Sequence, residues 1–125
     1  MMHTRVVSDN GLTTTAGGLS VDVRLPWYRS LPLSVVEIKE VAIDGQRINS
    51  ESIRLQLNNQ TMRLSELRPL TSEWWYVLDS GHLQVEHAPI SKGSRHEVAV
   101  TIAVRPPYFR GFARIVRTCK SLVAN

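Results

Sequence analysis

Three polar residues at alternate positions, His82, Gln84 and Glu86, form the most metal-like pattern in the sequence. Alternate residues of a β-strand point to the same face, so these side chains would lie side by side, and His96 could join them from a neighbouring strand. Zinc sites use three or four nitrogen, sulfur or carboxylate ligands. Because one member of this set is an amide, which is a poor zinc ligand, the pattern favours a solvent-exposed polar face over a metal site.

No other group of residues has the spacing of a catalytic site. The sequence contains neither a glycine-rich phosphate loop nor a nucleophile elbow. The single cysteine, Cys119, is expected to be a surface or packing residue rather than a nucleophile. His87 falls on the opposite strand face from Glu86 and is expected beside the core. We therefore expect no catalytic residue, no metal and no other cofactor in this chain.

The composition indicates one globular domain. The chain has 125 residues, of which 42% are hydrophobic, enough for a substantial core. Its longest apolar run, residues 74–78, is far shorter than the roughly 18 residues that a membrane span requires. The N-terminus lacks the apolar stretch of a signal peptide, and a single cysteine excludes an internal disulfide. These features predict a cytoplasmic protein without a membrane partner.

The net charge of +4 does not indicate a nucleic-acid-binding surface. Residues 1–104 contain ten basic and eleven acidic side chains, whereas residues 105–125 contain five basic side chains and no acidic one. The positive charge is thus a property of the C-terminal segment alone. Because nucleic-acid-binding domains usually spread lysine and arginine over a folded face, we predict no nucleic-acid partner. We expect these cations to meet carboxylates of a partner protein or solvent.

Hydrophobic alternation with a period of two residues dominates the chain and predicts β-strands. The clearest examples are residues 19–25 and 98–104. Asn10-Gly11, Asp44-Gly45 and Ser80-Gly81 are dipeptides typical of hairpin turns. Strands are predicted at residues 4–8, 18–25, 35–43, 46–49, 52–58, 61–64, 73–79, 82–88 and 95–105. This spacing predicts an all-β fold, a single-domain antiparallel β-sandwich.

The predicted sandwich occupies residues 1–109 and is followed by a basic tail at residues 110–125. In the tail, apolar residues recur at helical spacing, among them Phe112, Val116 and Val123. An amphipathic helix is one possibility, and a disordered or extended tail is the other, because short isolated helices are marginally stable. We expect removal of the tail to leave the sandwich folded.

A proline-containing aromatic loop is expected at residues 24–34, which read Arg-Leu-Pro-Trp-Tyr-Arg-Ser-Leu-Pro-Leu-Ser. Proline fixes φ and removes a backbone donor, so this segment cannot lie in the middle of a sheet. The loop would display Trp27, Tyr28, Leu31 and Leu33 to a partner, since Trp, Tyr and Arg dominate the energetic centres of interfaces. The alternative is that its aromatic residues fold back onto the core.

A second aromatic segment divides its side chains between two faces. Trp74 and Tyr76 share one side of the predicted strand, and Trp75 and Val77 share the other. One sheet face of a small sandwich cannot bury all four side chains. Either both sides of this strand are covered or one side meets a partner, because large exposed aromatic patches are uncommon on monomers.

Five segments in the same order resemble the β-subunits of bacterial C-glycoside deglycosidases. The first is the loop at residues 24–34, and the resemblance covers about residues 19–109. The next two are a strand with an Asp-Gly turn at residues 41–45 and an aromatic strand at residues 73–78. The last two are a glycine followed by His-Glu-Val within residues 92–98 and a closing Arg-x-Pro-Tyr at residues 105–108. The family has a glycine where this loop has Ser30, so the conformation of the loop tip is expected to differ.

The resemblance implies that this chain is the non-catalytic β-subunit of a lyase complex. In that family the α-subunit is similar to a sugar-isomerase barrel that holds a divalent metal, typically manganese. The complex cleaves the C–C bond between an aromatic aglycone, such as a flavonoid, and a 3-oxo-glucosyl unit. On this hypothesis the substrate is bound mainly by the partner, and this chain stabilises the barrel and helps to wall its entrance.

The interface with such an α-subunit is predicted to involve residues of the aromatic segments and of the tail. These are Trp27, Tyr28, Arg29, Leu31, Pro32, Leu33, Trp74, Pro107, Tyr108 and Phe112. A function of a different class also fits the sequence, namely a free-standing carbohydrate-binding or adaptor β-sandwich. In that alternative, Trp74 and Trp75 would stack against sugar rings.

Overall fold

The computed structural model describes residues 6–125, and these residues form an all-β protein. Their strands are β1 (Val7–Thr15), β2 (Gly18–Arg24), β3 (Leu31–Pro32), β4 (Val36–Ile43), β5 (Gln46–Arg47), β6 (Ile53–Leu57), β7 (Gln60–Arg63), β8 (Trp74–Trp75), β9 (Ser80–Glu86), β10 (Arg95–Val104) and β11 (Arg114–Val123). Short 3-10 turns lie at Leu33–Val35, Ser50–Ser52 and Leu64–Glu66. No helix in this part of the chain is long and apolar enough to cross a membrane.

The strands form two main sheets and a small ribbon, all with antiparallel pairing. The first sheet has the order β1-β2-β9-β6-β7, and the second has the order β11-β10-β4-β5. The ribbon pairs β3 with β8. Apolar side chains of both main sheets form one continuous core between them. The predicted antiparallel β-sandwich is therefore confirmed.

Period-two alternation fixes which face of each strand enters the core. In β2, Leu19 and Val21 are buried opposite Val85 and Leu83 of β9. The intervening Ser20 remains partly exposed. Each fully buried aliphatic side chain stabilises the fold by about 1.5–3 kcal/mol relative to an exposed one. A slip of one residue between these strands would turn the whole apolar set to solvent, so the pattern also fixes the register.

Two turns, the predicted one at Asp44-Gly45 and a second at Asn58-Asn59, have the backbone conformation of two-residue hairpins. Asp44 and Gly45 have φ values of 52° and 82° and join β4 to β5. Asn58 and Asn59, at 54° and 61°, join β6 to β7. Positive φ at both central residues matches the twist of the strands on either side, which explains why Asp, Asn and Gly occupy these positions.

The hairpins predicted at Asn10-Gly11 and Ser80-Gly81 are wrong. The first dipeptide lies inside β1, within a stretch where the register shifts between Val7 and Leu12, and the second begins β9. A side chain at Gly81 would lie 3.0 Å from the ring of Trp75. This glycine therefore gives the buried indole room to pack against the sheet rather than forming a turn.

The C-terminal segment is a strand, so the helical alternative for the tail is wrong. β11 pairs with β10 along its whole length, from Arg114 opposite Val104 to Val123 opposite Arg95. Val116 on its inner face is buried. The apolar spacing imitated a helix, but the segment is rich in β-branched residues, which favour a strand that a neighbour can cover. Residues 114–123 thus belong to the second sheet rather than to an appended tail beyond residue 109.

The final residues also link the two sheets at one edge. The backbone N–H of Asn125 donates to the carbonyl of Leu12 at 2.9 Å, and the N–H of Thr14 donates to the carbonyl of Asn125 at 3.2 Å. Lys120 of β11 donates to the carbonyl of Val7 at 2.7 Å. These bonds satisfy backbone groups at an edge that would otherwise be open to pairing with another chain.

Because β11 covers one side of β10, we now expect residues 114–125 to be essential for folding. Leu122→Ala should destabilise the protein by about 2–4 kcal/mol through loss of a buried side chain. Val123→Ala, at a position 41% exposed on the other face, should cost about 0.5 kcal/mol or less. Urea unfolding followed by circular dichroism measures both values. A chain lacking residues 114–125 that still unfolds cooperatively at the wild-type midpoint would contradict this assignment.

Candidate partner-binding surface

Five aromatic residues from two loops come together at one end of the sandwich. Trp27 and Tyr28 follow β2, whereas Tyr108, Phe109 and Phe112 lie in the connection from β10 to β11. The Trp27 ring centroid lies 5.0 Å from that of Tyr28, 6.4 Å from that of Phe109 and 5.9 Å from that of Phe112. Tyr108 and Phe112 lie 5.2 and 5.5 Å from Phe109. These distances are typical of favourable aromatic pairs.

Trp27 is the buried centre of this cluster, and the other four rings are its exposed surface. Trp27 is only 8% exposed, and its indole N–H donates to the hydroxyl of Tyr108 at 2.6 Å. Tyr28, Tyr108, Phe109 and Phe112 are 58%, 49%, 50% and 42% exposed. We call these four residues the aromatic patch. A continuous exposed surface of this kind is typical of a protein–protein contact.

The remainder of the first loop folds inward, which corrects part of the predicted interface. Leu31, Pro32 and Leu33 are buried in the core of this chain, so they have no surface to offer a partner. Leu31 and Pro32 pair with Trp75 and Trp74 in the small ribbon. The sequence indicated apolar residues in a stiff loop but did not distinguish those that anchor the loop from those that it displays.

Hydrogen bonds hold this loop in place on the sandwich. The N–H of Leu33 donates to the carbonyl of Glu73 at 2.8 Å. Ser30 accepts a hydrogen bond on its hydroxyl oxygen from the N–H of Val77 at 2.9 Å. Ser30 therefore has a structural role at the position where the resembling family carries glycine. The aromatic patch rests on a fixed support rather than on a free loop.

The adjacent tryptophans of the ribbon point to opposite sides, as their alternation predicts. Trp75 is fully buried, and its indole N–H donates to the carbonyl of Asp79 at 2.9 Å. Trp74 is 40% exposed, and Tyr76 is exposed as well. The proposal that both tryptophans are sugar-stacking platforms is therefore wrong for Trp75, which has no accessible face.

The structure thus sorts the other predicted interface residues by exposure. Trp27 is buried, so its predicted display to a partner is wrong. The six others, Tyr28, Arg29, Trp74, Pro107, Tyr108 and Phe112, are exposed. Phe109 was missed, although it follows Tyr108 directly and precedes Phe112 by three residues. Three closely spaced aromatic residues directly after two prolines were the feature of the sequence that could have predicted a second aromatic loop.

A groove of about 460 Å³ continues from the patch and is lined by both apolar and charged residues. Tyr28 and Leu78 stand on its walls together with Arg24 and Lys120. Arg24 donates to the carbonyl of Leu78 at 3.0 Å. Lys120 donates to Asp9 at 2.8 Å, and this hydrogen bond with the lysine charge lowers the pKa of Asp9. The groove and the patch share Tyr28 and form one continuous surface.

The basic residues of the C-terminal segment divide into paired and unpaired groups. Arg105 lies 3.1 Å from Glu37, and Arg117 lies 3.3 Å from Glu40. Together with the Lys120–Asp9 pair, these contacts correct the expectation that this segment has no counter-charge within the chain. Among residues 6–125, no ion pair involves the two remaining cations, Arg110 and Arg114, which stand beside the aromatic patch.

The predicted polar face on β9 lies on the outer side of the first sheet. His82 Nδ1 is 2.5 Å from the carboxylate of Asp22, and Gln84 donates to the side-chain oxygen of Gln56 at 2.9 Å. Glu86 is exposed at the end of the strand. Within the described part of the chain, no three His, Cys, Asp or Glu side chains meet in a group that could hold a metal ion.

A serine, a histidine and an aspartate are hydrogen-bonded in series at the opposite end of the sandwich. His96 Nδ1 lies 2.6 Å from Asp44 Oδ2, and its Nε2 lies 2.8 Å from Ser94 Oγ. A hydrolase would also need free backbone donors for an oxyanion. Here the N–H of Gly93 donates to the carbonyl of Ala124, and the N–H of Ser94 donates to that of Ser91. The series therefore serves to fasten the β4–β5 turn to β10.

Cys119 is exposed but has the wrong environment for a nucleophile. Its thiol donates to Glu97 at 3.1 Å. This hydrogen bond, together with desolvation and the negative charge of Glu97, raises the pKa of the Cys119 thiol above its ordinary value. Because the thiolate is the reactive form, this cysteine is held in its unreactive state.

The hydrogen bonds that Asp44 accepts predict a specific loss of stability in acid. Hydrogen bonds from His96 and from the N–H of Glu97 hold the pKa of Asp44 below its ordinary value. The ionised carboxyl therefore stabilises the fold above its unfolded pKa of about 3.9, and this contribution is lost as the pH falls through the lower folded value. Asn tolerates the left-handed backbone at this position, so Asp44→Asn removes the charge without backbone strain.

Urea unfolding of wild type and Asp44→Asn across pH 7 to pH 2 tests this effect. Wild type should be more stable at pH 7 by no more than about 1 kcal/mol, because the Asp44 side chain is half exposed and its charge is screened by solvent. The two proteins should converge below about pH 3. If the difference in unfolding free energy between the two proteins is the same at every pH, the charge of Asp44 contributes nothing to stability.

Comparison with known proteins gives one family. The sequence model described as "C-glycoside deglycosidase beta subunit" matches residues 2–108. The chain is 36% identical over 108 residues to a "C-glycoside deglycosidase beta subunit" of Microbacterium trichothecenolyticum, with 86% of this chain and 82% of that protein covered. A "3'-dehydrocarminate deglycosidase beta subunit" of a Microbacterium species is 32% identical, with 86% and 81% covered. An Arthrobacter globiformis "C-glycoside deglycosidase beta subunit" is 34% identical, with 86% and 82% covered.

Proposed function

Because this chain belongs to the C-glycoside deglycosidase beta subunit family, we propose that it is the non-catalytic small subunit of a lyase complex. Its partner is a catalytic α-subunit with an isomerase-like barrel, and the complex cleaves the C–C bond of 3-oxo-C-glucosides such as C-glycosylated flavonoids. The beta-subunit names of its relatives support a hetero-oligomer, and the exposed aromatic patch is the surface that we propose for it.

The aromatic patch is the observation that carries this proposal. Four rings remain 42–58% exposed while their shared neighbour Trp27 is buried. Buried aromatic side chains dominate interface energetics, and Tyr and Trp are enriched among the residues whose truncation weakens binding most. The support beneath the patch is already ordered by the ribbon and the Trp27–Tyr108 hydrogen bond. Little conformational freedom would be lost on association, which favours tight binding.

We assign the chemistry to the partner because residues 6–125 offer no set of groups for it. Residues 6–125 bring together no metal-ligand cluster, and the Ser94–His96–Asp44 series lacks oxyanion donors. A divalent metal, which we propose to be Mn²⁺ in the α-subunit, would polarise the C3 ketone and so acidify the C2 proton. The present chain would act by holding the barrel in its active form and by covering one side of its entrance.

Truncation of the patch should weaken the complex without unfolding this chain. Phe109→Ala should raise the dissociation constant by a factor that corresponds to about 2 kcal/mol or more, as for central aromatic anchors. Val123→Ala is the control, because it removes an exposed apolar side chain at the far end of β11. Calorimetric titration against the barrel subunit from the same organism gives the affinities, and thermal melting reports the fold. Equal affinities for both variants would exclude the patch as the anchor.

Because we assign the catalytic groups to the partner subunit, we expect the isolated chain to be inactive. Purified without its partner and supplied with Mn²⁺, it should convert a 3-oxo-C-glucoside no faster than a heat-denatured sample does. Addition of the barrel subunit should produce the free aglycone, detected by liquid chromatography. Turnover by the isolated chain would place a catalytic site in the sandwich and contradict the proposal.

A further inference from the structure

Four arginines lie in or next to the two connections that carry the aromatic patch: Arg24 shares the groove with Tyr28, Arg29 stands over Tyr108, and Arg110 and Arg114 flank Phe112 in the sequence. Arg24 and Arg29 belong to the end of β2 and the loop after it, whereas Arg110 and Arg114 belong to the connection between β10 and β11 and to the first residue of β11. Within residues 6–125, none of the four takes part in an ion pair. The patch is therefore apolar at its centre and positively charged at its rim.

Three arginines on or next to the second sheet have carboxylate partners within the chain, unlike the arginines of the rim. Arg105 pairs with Glu37, and both Arg47 and Arg117 approach Glu40. Residues 6–125 thus supply carboxylates to these three arginines but supply none to the arginines of the rim.

The contacts of the rim arginines leave hydrogen-bonding capacity that a second surface can use. Arg29 stands over the ring of Tyr108, with its guanidinium carbon 5.9 Å from the centroid. The Nε of Arg114 is shielded from solvent and has no hydrogen-bond partner among the described residues, so a second surface could reach only the terminal nitrogens of this guanidinium. Arg24 donates one N–H to a backbone carbonyl. A guanidinium carries five N–H donors, so most of the donors remain free.

We infer that the surface covering the patch carries carboxylates placed to bind these arginines. The inference rests on the proposed function, in which the occupant is the catalytic subunit. Covering the rings removes water from the guanidinium groups, which is costly unless each charge gains a hydrogen-bonded partner. The planar fork of arginine fits a carboxylate in a bidentate geometry, and arginine stacked on an aromatic ring retains that fork. The partner surface is therefore apolar at its centre and acidic around it.

Charge reversal at the rim tests this inference in the assembled complex. Arg29→Glu and Arg110→Glu should each weaken association with the barrel subunit at least about 10-fold at low salt, mainly through slower association. Wild-type affinity should fall between 50 and 500 mM NaCl, and the double variant should lose this salt dependence. Arg95→Glu is the matched control, since Arg95 is an exposed arginine at the opposite end of β10.

The outcomes separate this inference from the proposed function. If both rim variants bind as Arg95→Glu does while Phe109→Ala binds weakly, the patch is the anchor and the acidic surface is wrong. If neither the rim nor the patch variants lose affinity, the proposed docking surface itself is wrong. Binding of single-stranded DNA by wild type, lost in the rim variants, would assign the arginines to phosphates and overturn the inference. Arg29→Gln and Arg110→Gln, which remove the charge without reversing it, should each lose less affinity than the corresponding glutamate variant.

Discussion

The candidate surface depends on the burial of one indole. Trp27 leaves the end of β2 and enters the space beneath the β10–β11 connection, where its N–H finds the hydroxyl of Tyr108. A buried indole N–H without a partner would be costly, so this hydrogen bond fixes the two loops relative to one another. The phenylalanines at 109 and 112 pack around the same ring. One buried residue thereby holds four exposed rings in a single surface.

The sheets supply the rigidity that this arrangement needs. β10 lies between β4 and β11 and is buried along most of its length. The connection that carries the patch leaves one end of this central strand and returns as β11. The separate ribbon of β3 and β8 and the hydrogen bonds of Ser30 and Leu33 hold the first loop. A surface presented by elements of this kind keeps its shape before binding, which lowers the conformational cost of the association that we propose.

The sequence was informative where a local rule decides the structure. Alternation identified the cores of β2 and β10, and Asp44-Gly45 identified a hairpin, because strand period and positive φ depend on neighbouring residues alone. It was misleading where packing decides. The spacing of the apolar residues of β11 fits a helix and a strand equally well. The segment forms a strand because it can pair with the side of β10 that β4 does not cover. Likewise, no local feature tells Leu31, which anchors the loop, from Tyr28, which is displayed by it.

The central claim is that the aromatic patch is covered by a second subunit, and hydroxyl-radical footprinting of the complex tests it most directly. The oxidation rates of Tyr28, Tyr108, Phe109 and Phe112 would be compared between the isolated chain and the assembled complex, with exposed Val123 at the far end of β11 as the control. The account predicts strong protection of all four rings on assembly. Four rings that react as fast in the complex as in the isolated chain would contradict it.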